Sequence, residues 1–260
     1  MVKQTTPTSR ALATALRTYH RPINDSGTEL ETWAQVVDRV ISHQKWLWER
    51  ALNKKIDTTQ KAELEELRTL ILNRYVAPAG RTLWLGGTKL SQTRESSMFN
   101  CSFTFVETVY DVVDVLWLLL QGCGVGFKPV PGTLNGFRRP LSEVQIIRSR
   151  RAKKGGIGNN IETFDAEKKV WTIKVGDSAI SWAKAIGKLV AGKFPAEKLV
   201  LDFSEIRPAG TRLKGYGWIS SGDEQIAKAF SSIAEIMSNR ADQLLTRMDI
   251  LDIVNWLGTI

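Results

Sequence analysis

Cysteine and histidine are scarce in this chain. Its 260 residues hold two cysteines and two histidines. Two cysteines cannot staple a fold of this size, and no C-x-x-C pair occurs, so neither a disulfide framework nor a zinc module is expected. His20 and His43 stand alone, which argues against a His-rich metal site, and no metal ligand is assigned. Long apolar runs are also missing. The longest, Val112 to Leu120, is broken by Asp114 and falls far short of the roughly 20 residues a membrane helix needs. The first residues, Met-Val-Lys-Gln-Thr-Thr-Pro, contain no apolar stretch of the kind that marks secretory leaders. The expectation is a cytoplasmic globular protein with no membrane partner.

Basic residues are plentiful. Lys and Arg number 36 against 27 Asp and Glu, a formal charge of +9. At 43% hydrophobic and 24% charged, the chain can build a core and does not read as disordered. The positive balance points to anionic ligands such as nucleotides, phosphates or nucleic acid.

Residues 1 to about 28 read as a polar arm with a short helix near Ala11–Tyr19. Trp33, Val36, Val37, Val40, Ile41, Leu47 and Trp48 recur at helical spacing. A second helix is predicted from about Gln60 to Val76, with Thr59 as its N-cap and Leu64, Leu67 and Ile71 as its buried stripe. After Arg81 the pattern changes. Met98–Val106 reads as a short buried strand, Asp111–Gln121 as an apolar helix, and Gly124–Val130 as a strand or loop. Val170–Val175 and Lys198–Phe203 read as strands, Ala179–Ala191 as a helix, and Pro208–Gly222 as a Gly-rich loop. Helices follow around Ile226–Met237 and from Ile250. The reading is an α/β protein, α+β at its N-terminus, with a helical region over 1–95 and alternating strands and helices over 96–260.

The motifs admit plain readings. Gly187-x4-Gly192-Lys193 has P-loop spacing, but Phe194 stands where Ser or Thr should be, and the segment lies inside a predicted helix. Gly122-Cys123-Gly124-Val125-Gly126-Phe127 is either a tight turn or backbone that must lie close to a ligand. Cys101, in Phe99-Asn100-Cys101-Ser102-Phe103, is a buried strand thiol or a redox thiol, and its sequence neighbours favour the buried one. Gly176-Asp177-Ser178 opens a helix, as a simple cap or as an anion or ribose contact. In 138–154, Arg138, Arg139, Arg148, Arg150, Arg151, Lys153 and Lys154 are offset only by Glu143. Glycines follow, so this is a solvated loop or a polyphosphate cradle.

As a set, these segments carry a resemblance. Pro78-Ala79-Gly80-Arg81-Thr82-Leu83-Trp84, Gly86-Gly87-Thr88, the Asn100-Cys101-Ser102 segment and the 122–127 glycine turn occur in one order. Val175-Gly176-Asp177-Ser178 and Ile206-Arg207-Pro208-Ala209-Gly210-Thr211-Arg212-Leu213-Lys214-Gly215 follow. Over about residues 30–260 the chain resembles the N-terminal part of the monomeric, adenosylcobalamin-dependent (class II) ribonucleoside-triphosphate reductases. The resemblance implies a helical region followed by the first half of a ten-stranded α/β barrel. Residues 138–197 would be an insertion that builds an allosteric nucleotide site.

It further implies that Cys101 is one of two thiols that reduce the ribonucleotide and end as a disulfide. Asn100, Ser102 and Gly124 would border the substrate. Asp177, Ser178, Lys153, Lys154, Arg212 and Lys214 would serve a deoxynucleoside triphosphate effector. The implied cofactor is adenosylcobalamin, the substrate a ribonucleoside triphosphate, and the reductant thioredoxin-like. The thiyl-radical cysteine, the redox partner of Cys101 and the catalytic Asn and Glu belong to a later region. The chain is therefore expected to be a split or truncated reductase that needs a C-terminal half and is inactive alone. The contrasting reading is a basic nucleotide- or nucleic-acid-binding module without catalysis, although no specific nucleic-acid motif is present.

Overall fold

The computed structural model describes residues 7–24, 26–148, 156–213 and 219–260. These fall into two units, one ending at Asn100 and the other beginning at Cys101.

The first unit is helical. It contains α1 (Ser9–Thr18), α2 (Trp33–Leu52), α3 (Thr58–Leu72), α4 (Gly80–Leu85) and α5 (Lys89–Thr93), then a single 3-10 turn over Glu95–Met98. A reciprocal cap between Thr32 and Gln35 starts α2 and buries Val36, Val37 and Val40 on one face. The start of α3 differs from the sequence expectation. Asp57 is the cap in place of Thr59, because its carboxylate accepts from Gln60 N at 2.9 Å while Gln60 returns a bond to Asp57 N at 3.0 Å. The helix also stops at Leu72, short of Val76, where Arg74 turns left-handed at φ 61°.

Arg39 organises this unit. Its guanidinium pairs with Glu31 at 2.8 and 2.9 Å and donates to the carbonyls of Tyr19 and Leu83 at 3.2 and 3.0 Å, and to that of Gly86. Gly87 makes the close approach possible: a Cβ there would lie 2.6 Å from Arg39 O, and its φ is +77°. The Gly86-Gly87 pair is therefore a docking point on α2 as well as a loop.

The second unit mixes sheet and helix. β1 (Cys101–Val106) and β2 (Gly124–Pro129) pair in parallel, joined by α6 (Val109–Leu120). A four-stranded sheet has the order β3-β6-β5-β4, from β3 (Glu143–Ile147), β4 (Ile161–Asp165), β5 (Val170–Lys174) and β6 (Lys198–Asp202). Its pairs are parallel except β4–β5. α7 (Ala179–Ala191) carries the crossover from β5 to β6, and α8 (Glu224–Asn239) and α9 (Arg247–Leu257) complete the layer. One core joins them, including Val115, Leu116, Trp171, Ile186, Leu189, Phe203, Phe230 and Ile253. Among the described residues, no helix is long and apolar enough to cross a membrane.

The P-loop spelling resolves into packing. Gly187 lies within α7, where a Cβ would sit 2.7 Å from Val113 Cγ2, so its absence lets α6 approach. Gly192 is the left-handed C-cap of the same helix. β3 and β4 were not foreseen from the sequence.

Glu162 ties β4 to α7. Its largely buried carboxylate takes Lys188 Nζ, Lys193 Nζ at 3.3 Å and Trp171 Nε1 at 3.2 Å. Burial pushes this carboxyl up, but the two lysines and the indole outweigh burial and hold it below the ordinary glutamate range. A carboxyl depressed in the fold stabilises above its unfolded pKa, and that contribution is lost as pH falls through the folded value. From about pH 5 down to about pH 3, the urea midpoint of the native chain should therefore fall more steeply than that of Glu162→Gln. Parallel slopes for the two proteins would contradict this role.

Candidate functional site

Strand alternation sorts the residues of the β1–β2 pair onto two faces. One carries Cys101, Phe103 and Phe105 opposite Gly124, Gly126 and Lys128. The other turns Val106, Val125 and Phe127 toward the core. Contrary to the expected buried strand and buried thiol, Cys101 is exposed, and Phe103 and Phe105 are 63% and 55% exposed. The physical reason is that β1 pairs only with β2 among the described residues, and the helical core covers one face alone.

The exposed face has chemical character. Cys101 sits opposite a residue with no side chain, so the thiol borders a strip of bare backbone at Gly124. The Phe103 ring lies over Gly126, with Cδ2 3.2 Å from where a Cβ would stand. Phe103 meets Phe105 edge to face at 5.6 Å, and Lys128 Nζ lies 5.6 Å from the Phe105 ring centre. Ser102 points the other way, with its Oγ buried and lacking a hydrogen-bond partner among the described residues. Cys123 is buried at 3% exposure, one residue before the partner of Cys101, and no disulfide joins the two.

Asn100 ends the first unit. Its Oδ1 accepts from Arg81 Nε at 2.9 Å, while Arg81 Nη1 donates to Ser97 O at 2.9 Å and the guanidinium lies over Trp84. The 78–84 motif and the Asn100 segment are thus joined by one arginine, a link that the sequence did not reveal.

A second cluster forms around Asp177, at the turn from β5 into α7. The carboxylate is buried and engaged: Arg207 Nε donates to Oδ1 at 3.1 Å and to Oδ2 at 2.8 Å, and Arg207 Nη2 reaches Asp177 O at 3.4 Å. Asp177 N donates to Ile157 O at 2.9 Å. Ser178 caps α7 by accepting from Ser181 N at 3.1 Å and donates to Gly158 O at 2.9 Å. Asn160 closes the ring, accepting from Gly176 N at 2.8 Å and donating to Ser181 O at 2.7 Å. Glu205, 4% exposed, anchors the same loop. It accepts from Ile157 N at 2.9 Å and pairs with Lys174 at 2.8 Å.

Asp177 and Ser178 therefore come together with Arg207, Asn160 and Glu205, which sequence reasoning did not single out as site residues. Arg212 is exposed and bridges to Ile219. Lys153, Lys154 and Lys214 lie outside the described residues. In the basic stretch, Arg148 pairs with Asp223 at 2.7 Å. A cavity of about 520 Å³ at the C-terminal end of α7, lined by Phe137, Arg138 and Lys193 among others, includes none of the expected site residues.

Comparison with known proteins gives a consistent picture. Residues 2–88 match the ribonucleotide reductase alpha domain. The adenosylcobalamin-dependent ribonucleoside-triphosphate reductase of Lactobacillus gasseri is 28% identical over 282 aligned positions, covering 93% of this chain and 38% of that protein. The same-named protein of Lactobacillus helveticus is 26% identical, with the same coverage. A putative adenosylcobalamin-dependent ribonucleoside-triphosphate reductase of Mycobacterium phage D29 is 28% identical over 239 positions, 86% of this chain and 32% of that protein. The crystal structure of a B-12 dependent (class II) ribonucleotide reductase superposes with a TM-score of 0.74 at 26% identity, covering 95% of this chain and 39% of that one. The chain thus spans about a third to two-fifths of the length of these proteins. Motif order, mixed helix-and-sheet fold and sequence agree in making the chain similar to the N-terminal portion of adenosylcobalamin-dependent ribonucleoside-triphosphate reductases.

Proposed function

We infer that the chain supplies the N-terminal portion of an enzyme that reduces ribonucleoside triphosphates to deoxyribonucleoside triphosphates in the cytoplasm. The observation that carries this reading is Cys101: a thiol exposed on the β1–β2 face, opposite Gly124, in a chain aligned with such reductases.

Replacing a ribose hydroxyl by hydrogen consumes two electrons and two protons and releases water. Two thiols supply both by closing a disulfide. Cys101 is one of the pair. Cys123, buried beside the turn, is not the other, so the second thiol comes from the part of the enzyme that the remaining length of the relatives represents. Gly124 leaves the sugar room beside the sulfur, and Asn100, oriented by Arg81, flanks the thiol in sequence. Ser102 contributes through its main chain, since its side chain faces the core. In this reading β1 and β2 open the first half-barrel, and 138–197 is the effector insertion within the 96–260 domain.

Adenosylcobalamin is named for the relatives. The cofactor that starts the thiyl-radical chemistry is assigned to the rest of the enzyme, as is docking of a thioredoxin-like reductant.

For the effector, Asp177 and Ser178 take the deoxyribose of a deoxynucleoside triphosphate. The basic stretch with Lys153 and Lys154 takes its phosphates, and Arg212 and Lys214 carry its identity onward. Calorimetric titration of the folded chain with dATP and with dTTP tests this. At least one should bind, and Asp177→Ala should weaken it by roughly tenfold or more. No binding of either nucleotide to the folded chain would end the effector assignment.

A further inference from the structure

Arg81 and Asn100 meet through a bond that runs in one direction only. A guanidinium carries N–H donors and no acceptor, so the Asn100 carboxamide atom that faces Arg81 Nε at 2.9 Å is its oxygen. The nitrogen lies on the other branch of the same planar group and points away from that bond. Asn100 is exposed, and among the described residues its Nδ2 makes no hydrogen bond. The guanidinium itself is held in place. Its Nη1 donates at 2.9 Å to the carbonyl of Ser97, a fully buried residue of the 3-10 turn. Its Cζ lies 5.4 Å from the centre of the Trp84 ring, one turn further along the helix α4 that carries Arg81. Helix and turn therefore fix the arginine from two sides.

We propose that Arg81 is a positioning residue that makes Asn100 a hydrogen-bond donor toward the ribonucleoside triphosphate. The inference rests on the reading of Asn100 as a substrate neighbour. It adds the atom that Asn100 offers, the residue that selects it and the kind of substrate atom it meets. A lone carboxamide turns over about its last bond and exchanges acceptor for donors at little cost. With Arg81 in place, the turned-over form sets N–H against N–H and forfeits the bond, so one orientation dominates. Asn100 thus holds its N–H donors outward before the substrate arrives, and less ordering remains to be done on binding. The substrate atom that suits it is an oxygen acceptor, and a ligand group able only to donate is refused.

Steady-state kinetics of the chain combined with the rest of the reductase tests this through a double-mutant cycle. Asn100→Ala should lower kcat/KM for the ribonucleoside triphosphate by roughly tenfold, mainly through KM. Arg81→Met should lower it by roughly three- to tenfold, the cost of fixing a side chain only at binding. Combined, the two should lower it no more than Asn100→Ala alone, because Arg81 acts through Asn100. Asn100→Asp still accepts from Arg81 but has no N–H to give, and should lose as much as Asn100→Ala. Arg81→Lys keeps a donor without the rigid fork. It should fall between native and Arg81→Met, and it carries the cycle if Arg81→Met does not fold. Urea denaturation separates out a merely structural role: stability lost with Arg81→Met should persist in the double variant although the kinetic losses do not add. Kinetic losses that multiply in the double variant, or a native KM in Asn100→Asp, overturn the assignment and leave the reductase reading standing. A native assembly that reduces no ribonucleotide overturns both.

Discussion

Cys101→Ser, assayed together with the rest of the reductase, should lose ribonucleotide reduction by at least about a thousandfold while the protein stays folded. A serine hydroxyl cannot form a disulfide, so the two electrons required per sugar have no source on this side of the substrate. The substitution removes one atom's chemistry at an exposed position opposite a glycine. Stability should therefore stay within about 0.5 kcal/mol, the range for surface changes away from special features. Loss of activity with intact denaturation behaviour separates a chemical role from a structural one. Cys123→Ser is the informative contrast. That thiol is 3% exposed in the core-side turn, so its replacement should lower stability and leave the chemistry of the folded fraction intact. A fully active Cys101→Ser enzyme would remove the catalytic assignment.

Gly176→Ala should have the largest effect on the Asp177 cluster. A Cβ at Gly176 would lie 2.7 Å from three main-chain atoms of Asn159, and main chain cannot swing aside as a side-chain tip can. The 156–160 loop must back away. That strains the bonds of Asn160 to Gly176 and Ser181, of Ile157 to Asp177, and of Gly158 to Ser178. Overpacking of this kind costs roughly 1–3 kcal/mol. Because the loop leads directly from the basic stretch, deoxynucleotide binding should weaken by roughly tenfold or more as well. Gly158→Ala is the matched control. Among the described residues no atom lies within 4 Å of its Cβ position, and its carbonyl, which accepts from Ser178 and Ser181, is kept by the substitution, so stability should change by less than about 0.5 kcal/mol. Urea denaturation and calorimetry on the two variants provide the comparison.

How much of this was legible in the sequence depended on whether the signal was local. Helices with a strong apolar period emerge where expected, and α7 spans Ala179–Ala191 as read, because period, cap residue and terminal glycine all agree. α3 was misplaced at both ends. The reciprocal bond between Asp57 and Gln60 competes with Thr59, and the left-handed Arg74 gives no sequence cue. β3 and β4 were missed because each is short and lies in a polar or basic neighbourhood. Their pairing with β6 and β5, not their composition, makes them strands. The exposure of Cys101 was illegible for a similar reason. The segment around it reads as apolar, and apolar residues imply burial only when a second layer covers both faces of the strand.

The reductase relationship was readable from the order of several weak motifs, none sufficient singly. What those motifs do locally was not readable. Arg81 joins two of them across 19 residues, and Arg207 reaches Asp177 across 30. Long-range pairing of this kind leaves no periodic or spacing trace in a single sequence.

The central claim, that this chain brings a reducing thiol to a ribonucleotide, is tested most directly by a single turnover without external reductant. The chain is combined with the rest of the reductase, adenosylcobalamin and a ribonucleoside triphosphate. Thiols are then alkylated and peptides containing Cys101 are read by mass spectrometry. The account predicts one equivalent of deoxynucleotide with Cys101 in a disulfide and protected from alkylation, and Cys123 still reduced. Deoxynucleotide formed while Cys101 remains fully alkylatable would contradict it.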